Sequence, residues 1–176
     1  MQQQNPSQLP TRTPSAEEQK VIDDVLALYQ LRPSEESYAH YADDATFHDP
    51  VSIAPTRESI QSQFNGMPKL FADSVTEHYD VLDDSSQPRS IVLNLTQKYV
   101  FKSPLPGKKE GSAKTVNSKI TLKRNAQGLI TEHIEEWDHE KNKTSEDGFM
   151  GKVQEFRKKM DAKLVESTVS SDPSKV

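Results

Sequence analysis

The feature that most constrains this chain is a set of strands that are apolar on one face only. Ile91, Leu93, Leu95, Tyr99 and Phe101 fall on one parity, while Asn94, Thr96, Lys98 and Lys102 fall on the other. Val116, Ser118, Ile120 and Leu122 repeat the pattern against Asn117, Lys119, Thr121 and Lys123. A period of two means successive side chains point to opposite sides of a sheet. One greasy and one polar face per strand implies a sheet covered on one side, hence antiparallel. Val75, Glu77, Tyr79 and Val81 alternate in an earlier strand, and Asn125-Ala126-Gln127-Gly128 turns the chain into a last one, Leu129 to His139.

Ahead of these strands the period is 3.6. Ser15-Ala16-Glu17-Glu18 places a capping hydroxyl three residues before a glutamate that can reach back, the capping-box pattern. Val21, Ile22, Val25, Leu26, Leu28 and Tyr29 follow at helical spacing until Arg32-Pro33 stops the helix. Ser34 then caps a shorter helix expected to carry Tyr38, Tyr41 and Ala42. Ala45 to Pro50 reads as a short strand ended by proline. Thr56 opens a third helix with Ile60 and Phe64 inward, expected to break at Asn65-Gly66 and Pro68. A final helix is expected over 145–165, with Phe149, Val153, Phe156, Met160 and Leu164 as a narrow stripe. Arg157, Lys158, Lys159 and Lys163 read as its solvated face.

The sequence has 22 Lys+Arg against 27 Asp+Glu, a formal charge of -5, and no cysteine. Disulfides, zinc–thiolate sites and cysteine nucleophiles are therefore excluded, and a duplex nucleic-acid partner is disfavoured. No stretch approaches the ~18 apolar residues of a membrane span, and the N-terminus lacks a secretory pattern, so a cytoplasmic or also nuclear location is expected. Residues 1–14 and 166–176 are Gln-, Ser- and Pro-rich tails expected to be disordered, which leaves 15–165 as one domain.

The element order resembles a family. Tyr41-Ala42-Asp43-Asp44-Ala45-Thr46-Phe47-His48-Asp49-Pro50 resembles the Y-x-x-D-A-x-F-x-D-P segment of nuclear transport factor 2-like domains, and Gly128-Leu129-Ile130-Thr131-Glu132-His133 resembles the start of their last strand. The branch it most resembles is the SnoaL-like polyketide cyclase and ketosteroid isomerase group, over roughly residues 16–140. That resemblance implies an α+β, cystatin-like cone: a curved antiparallel sheet wrapped round N-terminal helices, with a pocket between them. Members of the group use the pocket as cofactor-free isomerases, cyclases or dehydratases, or only to bind. The extra C-terminal helix would lid the pocket or form a subunit contact.

An apolar pocket with a few buried titratable groups suits proton transfer at neutral pH, because desolvation lifts a carboxyl's pKa. In the last strand His133, Glu135, Trp137 and His139 share one face, and Ile130, Glu132, Ile134, Glu136 and Asp138 the other. Which face is inward depends on the turn. A four-residue loop puts Ile120 and Ser118 opposite His133 and Glu135; a three-residue loop with Gly128 as a bulge puts Ile134 and Glu136 there instead. The SnoaL-like resemblance favours His133 and Glu135 as the acid/base pair, with Trp137 as an aromatic wall. Asp49, on the side of Phe47, is a third catalytic candidate, although Asp49-Pro50 also suits a turn. Tyr41, Tyr99 and Ile120 join Trp137 as candidate ligand contacts, and a hydroxyl among Tyr29, Tyr38 and Tyr41 could polarise a carbonyl.

His133, Glu135 and His139 would span about 20 Å of strand, too far to converge on one ion, so no metal site and no cofactor are expected. The expected function is an isomerase, cyclase or dehydratase acting on a small hydrophobic carbonyl compound. The alternatives are a non-catalytic binding module, or a homodimeric scaffold using exposed Val92 and Val100 on the convex face.

Overall fold

The computed structural model of the chain describes residues 9–138 and 146–169. Helices α1 (Ala16–Tyr29) and α2 (Glu35–Ala39) lead into strands β1 (Tyr41–Asp49) and β2 (Ser52–Ala54). Helix α3 (Arg57–Leu70) precedes strands β3 (Phe71–Leu82), β4 (Ile91–Lys102), β5 (Glu110–Arg124) and β6 (Ile130–Trp137), and α4 (Glu146–Val169) follows them. The six strands form one sheet in the order β2-β1-β6-β5-β4-β3, antiparallel except where β1 runs parallel to β6. No helix of the described chain is long and apolar enough to cross a membrane.

Helix α1 starts where the capping box requires. Ser15 Oγ accepts the Glu18 amide at 3.1 Å, and Glu18 accepts the Ser15 amide at 2.9 Å. Order begins earlier than Ser15, however. The Arg12 amide donates to Val81 O at 2.8 Å, and its guanidinium grips Glu18 through two 2.8 Å bonds. That hydrogen-bonded pair lowers the Glu18 carboxyl to about 2. Sheet pairing and a charge-assisted fork offset the ordering entropy that composition alone left uncompensated. Residues 1–8 and 170–176 lie outside the described chain.

Three further elements depart from the local signals. Helix α2 ends at Ala39, and Tyr41 and Ala42 open β1 instead. The cause is non-local: the Ile130 amide donates to His40 O at 2.7 Å and Tyr41 pairs with Ile130, so the sheet captures the backbone. Helix α3 runs through Asn65-Gly66 and Pro68 to Leu70. Pro68 forfeits one bond within the last turn, while buried Phe64 and partly buried Met67 hold that turn on the core. In β3 the register shifts between Thr76 and His78, so Ser74 and Val81 are buried while Val75 is 46% exposed.

The sheet's concave side carries two apolar clusters. The larger packs α1, α2 and α3 against Phe47, Leu93, Leu95, Ile120, Leu122 and Ile130. The smaller, at the other end, gathers Phe71, Tyr99, Phe101, Val116 and Trp137 under Phe149 and Val153 of α4. Val92, read from its polar neighbours as an exposed convex residue, is buried where β4 pairs with Leu82 and Thr121.

Candidate active site

The β5–β6 hairpin decides what the concave side presents. Gly128 takes φ +81°, its amide donates to Asn125 O at 3.0 Å, and the Asn125 amide donates to Leu129 O at 2.9 Å. This is the three-residue loop, which alone would turn His133 and Glu135 outward. A second irregularity reverses it: Arg124 pairs with Ile130 but Lys123 pairs with Glu132, so Thr131 is passed over. Beyond this bulge Leu122 faces His133, Ile120 faces Glu135 and Ser118 faces Trp137. The inward face is the expected one, two residues out of the register that a four-residue loop implied. The bulge also brings Ile130, expected on the outer face, into the core at 0% exposure. Glu132 and Glu136 face outward, where Lys123 meets Glu132 at 3.2 Å.

Parallel pairing sets Phe47 beside His133, and the two rings meet edge to face with centroids 4.8 Å apart. Two residues further along each strand stand Asp49 and Glu135. Both line a cavity, as do Tyr99 and Trp137. Its walls are mostly aromatic and aliphatic: Phe71, Tyr99, Val116 and Trp137 from the sheet, Phe64 and Met67 from α3. Helix α4 supplies the remaining side through Phe149, Val153, Phe156 and Arg157. The cavity and its mouth together enclose about 540 Å³. Walls this rich in aromatic rings suit a small ligand with a flat ring system.

The polar groups form a chain that ends at the cavity. Tyr41 Oη lies 2.9 Å from His133 Nδ1, His133 Nε2 lies 3.0 Å from Tyr29 Oη, and Tyr29 donates to Glu135 Oε2 at 3.1 Å. Each proton has one consistent place: Tyr41 donates to Nδ1, Nε2–H donates to Tyr29, and Tyr29 donates to the carboxylate. Trp137 Nε1–H donates to the other carboxylate oxygen at 3.2 Å. Burial, then the negative charge of Asp49, push the Glu135 carboxyl up to about 7. Burial holds the Tyr29 hydroxyl well above the usual phenol range, reinforced by Glu135. The His133 imidazole, caged by rings, is lowered to about 3 by burial and stays neutral.

Three candidates are corrected by this placement. His133 stands behind Tyr29 at 0% exposure, off the cavity wall, so it can reach a ligand only through that hydroxyl. Tyr41 is sealed in the core as the partner of His133, and Ile120 is packed against the helices without lining the cavity. Asp49 closes the turn and also lines the cavity. Its Oδ1 accepts the Val51 and Ser52 amides at 2.9 and 2.8 Å, closing the β1–β2 turn, while its Oδ2 meets Arg157 at 2.5 Å on the cavity wall. His139 lies outside the described residues.

Two residues at the site escaped the sequence reading. Arg157 was placed with the solvated lysines, but it follows Val153 by four residues and shares its face, a spacing that carries the signal. Gln97 sits on the inward parity between Leu95 and Tyr99. It is 1% exposed, and its amide donates to Tyr29 O at 3.3 Å and to Ser74 Oγ at 2.8 Å, fixing the end of α1 that aims Tyr29.

No protein-family model matches the chain, and no curated protein matches it in sequence. Solved structures do match in shape. A candidate polyketide cyclase from Xanthomonas campestris pv. campestris superposes with a TM-score of 0.55 at 13% identity, over 72% of this chain and 96% of that one. A phenazine biosynthesis-related protein from Pseudomonas aeruginosa gives 0.51 at 14% identity, over 73% and 83%. A nuclear transport factor 2-like protein from Exiguobacterium sp. 255-15 gives 0.50 at 14%, over 67% and 98%. The chain has the nuclear transport factor 2-like fold, as its sequence motifs implied.

Proposed function

We propose that the chain is a cofactor-free isomerase, cyclase or dehydratase for a small, flat, hydrophobic carbonyl compound, with Glu135 as its acid/base. The observation that carries this reading is the Glu135 carboxyl, buried on a mostly apolar cavity wall where desolvation and the charge of Asp49 push it up to about 7, within the working range of a general base. In the isomerisation case Glu135 removes a proton from the carbon next to the carbonyl. With a β,γ-unsaturated carbonyl compound the C–H electron pair passes into a dienolate, and the proton returns from Glu135 to the γ-carbon as the C=C moves into conjugation. Tyr29 lines the same wall and its hydroxyl orients the carboxyl, while His133 and Tyr41 hold Tyr29. The shape likeness to a candidate polyketide cyclase is compatible with this chemistry.

The test is exchange of the α-protons of 2-tetralone, a small benzo-fused ketone, for deuterium in D2O. The wild type is expected to accelerate exchange over buffer, and Glu135→Gln to return it to the buffer rate. Equal rates for the two proteins overturn the acid/base role. A Glu135 carboxyl titrating by NMR near the reference of about 4.3 does so as well.

A second reading, a binding module without turnover, is favoured by one observation: His133 is withdrawn behind Tyr29, so fewer acid/base groups reach a ligand than the sequence suggested. It predicts that a flat ketone raises the thermal stability of wild type and Glu135→Gln equally, with no exchange by either.

A further inference from the structure

Arg157 is the only cation on the cavity wall among the described residues. It reaches the wall from α4, with its guanidinium 6.0 Å from the centre of the Phe47 ring. Both of its side-chain hydrogen bonds among the described residues leave from one nitrogen, Nη1, to Asp49 Oδ2 and to Ser52 Oγ. Asp49 is rigidly placed, because its other oxygen caps the β1–β2 turn through two backbone amides. The guanidinium is thus anchored at one corner, with Nε and Nη2 free of protein partners among the described residues. A planar fork with one edge fixed and one edge open is built to receive an oxygen pair. The rest of the wall is mostly aromatic and aliphatic, and Glu135 on the same wall, when protonated, offers an O–H donor.

Resting on the proposal that this cavity binds a flat carbonyl compound, we infer that Arg157 is its specificity-determining residue and selects ligands carrying an anionic oxygen, a carboxylate or acidic enol, over neutral ones of the same shape. Neighbouring Asp49 compensates the Arg157 charge and tempers that preference.

The experiment measures binding of 2-naphthoate and of neutral 2-acetylnaphthalene through Trp137 fluorescence, the sequence's one tryptophan. Wild type is expected to favour the carboxylate about tenfold, the worth of one charge-assisted hydrogen bond. Arg157→Gln should bring the ratio of the two affinities to about one, and Arg157→Lys should keep part of the preference. Asp49→Asn, which retains the turn acceptor but removes the competing charge, should widen the preference. Ketone binding with no preference in wild type, or a preference that survives Arg157→Gln, overturns the assignment while the cavity reading stands. If neither compound binds wild type, the cavity reading falls and this inference falls with it.

Discussion

The Tyr29 hydroxyl stands 3.1 Å from Glu135 Oε2 and donates to it, while its own oxygen is held by His133 at 3.0 Å. One phenol thereby ties the end of α1 to the last strand of the sheet and sets how readily Glu135 holds a proton. Its bond favours the charged carboxylate and opposes the rise that burial imposes.

Tyr29→Phe should raise the Glu135 pKa above about 7, since the carboxylate loses a donor while remaining buried. It also leaves His133 Nε2–H buried without its acceptor, at a cost of about 1–3 kcal/mol. Carboxyl NMR titration and urea denaturation check the two effects, and an unchanged pKa would refute the coupling.

Glu135 and His133, both buried, should give opposite pH slopes. The fold raises Glu135 from 4.5 to about 7, so its contribution to stability is complete below 4.5 and lost as pH rises to 7. The fold lowers His133 from 6.5 to about 3, so its contribution is complete above 6.5 and lost as pH falls towards 3. Between 4.5 and 6.5 the slopes oppose, each up to about 1.4 kcal/mol per pH unit. Denaturation across this window should show Glu135→Gln gaining stability relative to wild type as pH rises. His133→Asn should gain relative to wild type as pH falls. Parallel curves for all three proteins would contradict the assignment.

Asp49→Asn should lower the Glu135 pKa below about 7, because a like charge disappears and Arg157 is freed to favour the carboxylate. The Val51 and Ser52 amides keep an acceptor, so the turn survives. Amide exchange should report loosening of α4 around Arg157, where the ion pair is cut, with little change in β1.

Gly128→Ala should cost about 1 kcal/mol from backbone strain at φ +81°. An added Cβ meets nothing closer than 3.6 Å, so no clash contributes. Urea denaturation measures the loss, and a change in the Glu135 titration would mean that the hairpin register had moved as well.

Much of the fold is legible in local sequence. The Ser15 and Thr56 caps start α1 and α3 where expected, and alternation in 91–101 and 116–122 puts the right residues inward. Local signals mislead where a distant strand competes. Tyr41 has helical neighbours, yet it pairs with Ile130, nearly ninety residues away. The inward face of β6 is a sharper case, because two one-residue irregularities, the Gly128 loop and the Thr131 bulge, add to a two-residue shift that restores the face. The expected face emerged, though not from the turn that was expected to produce it.

By itself the amino-acid order determined which residues are compatible with each face: Glu135 two residues from His133, Trp137 two beyond, Tyr29 on the buried stripe of α1. Periodicity is a property of neighbouring backbone dihedrals, and a short window suffices to express it. Which of these groups meets a ligand was decided only in three dimensions. His133 became an internal prop because Tyr29 crosses in front of it, and Arg157 became a cavity residue because α4 docks its Phe149–Val153 face over the open end of the sheet. Such contacts depend on the relative placement of elements far apart in the chain, which burial of their combined apolar surface selects and no local window encodes.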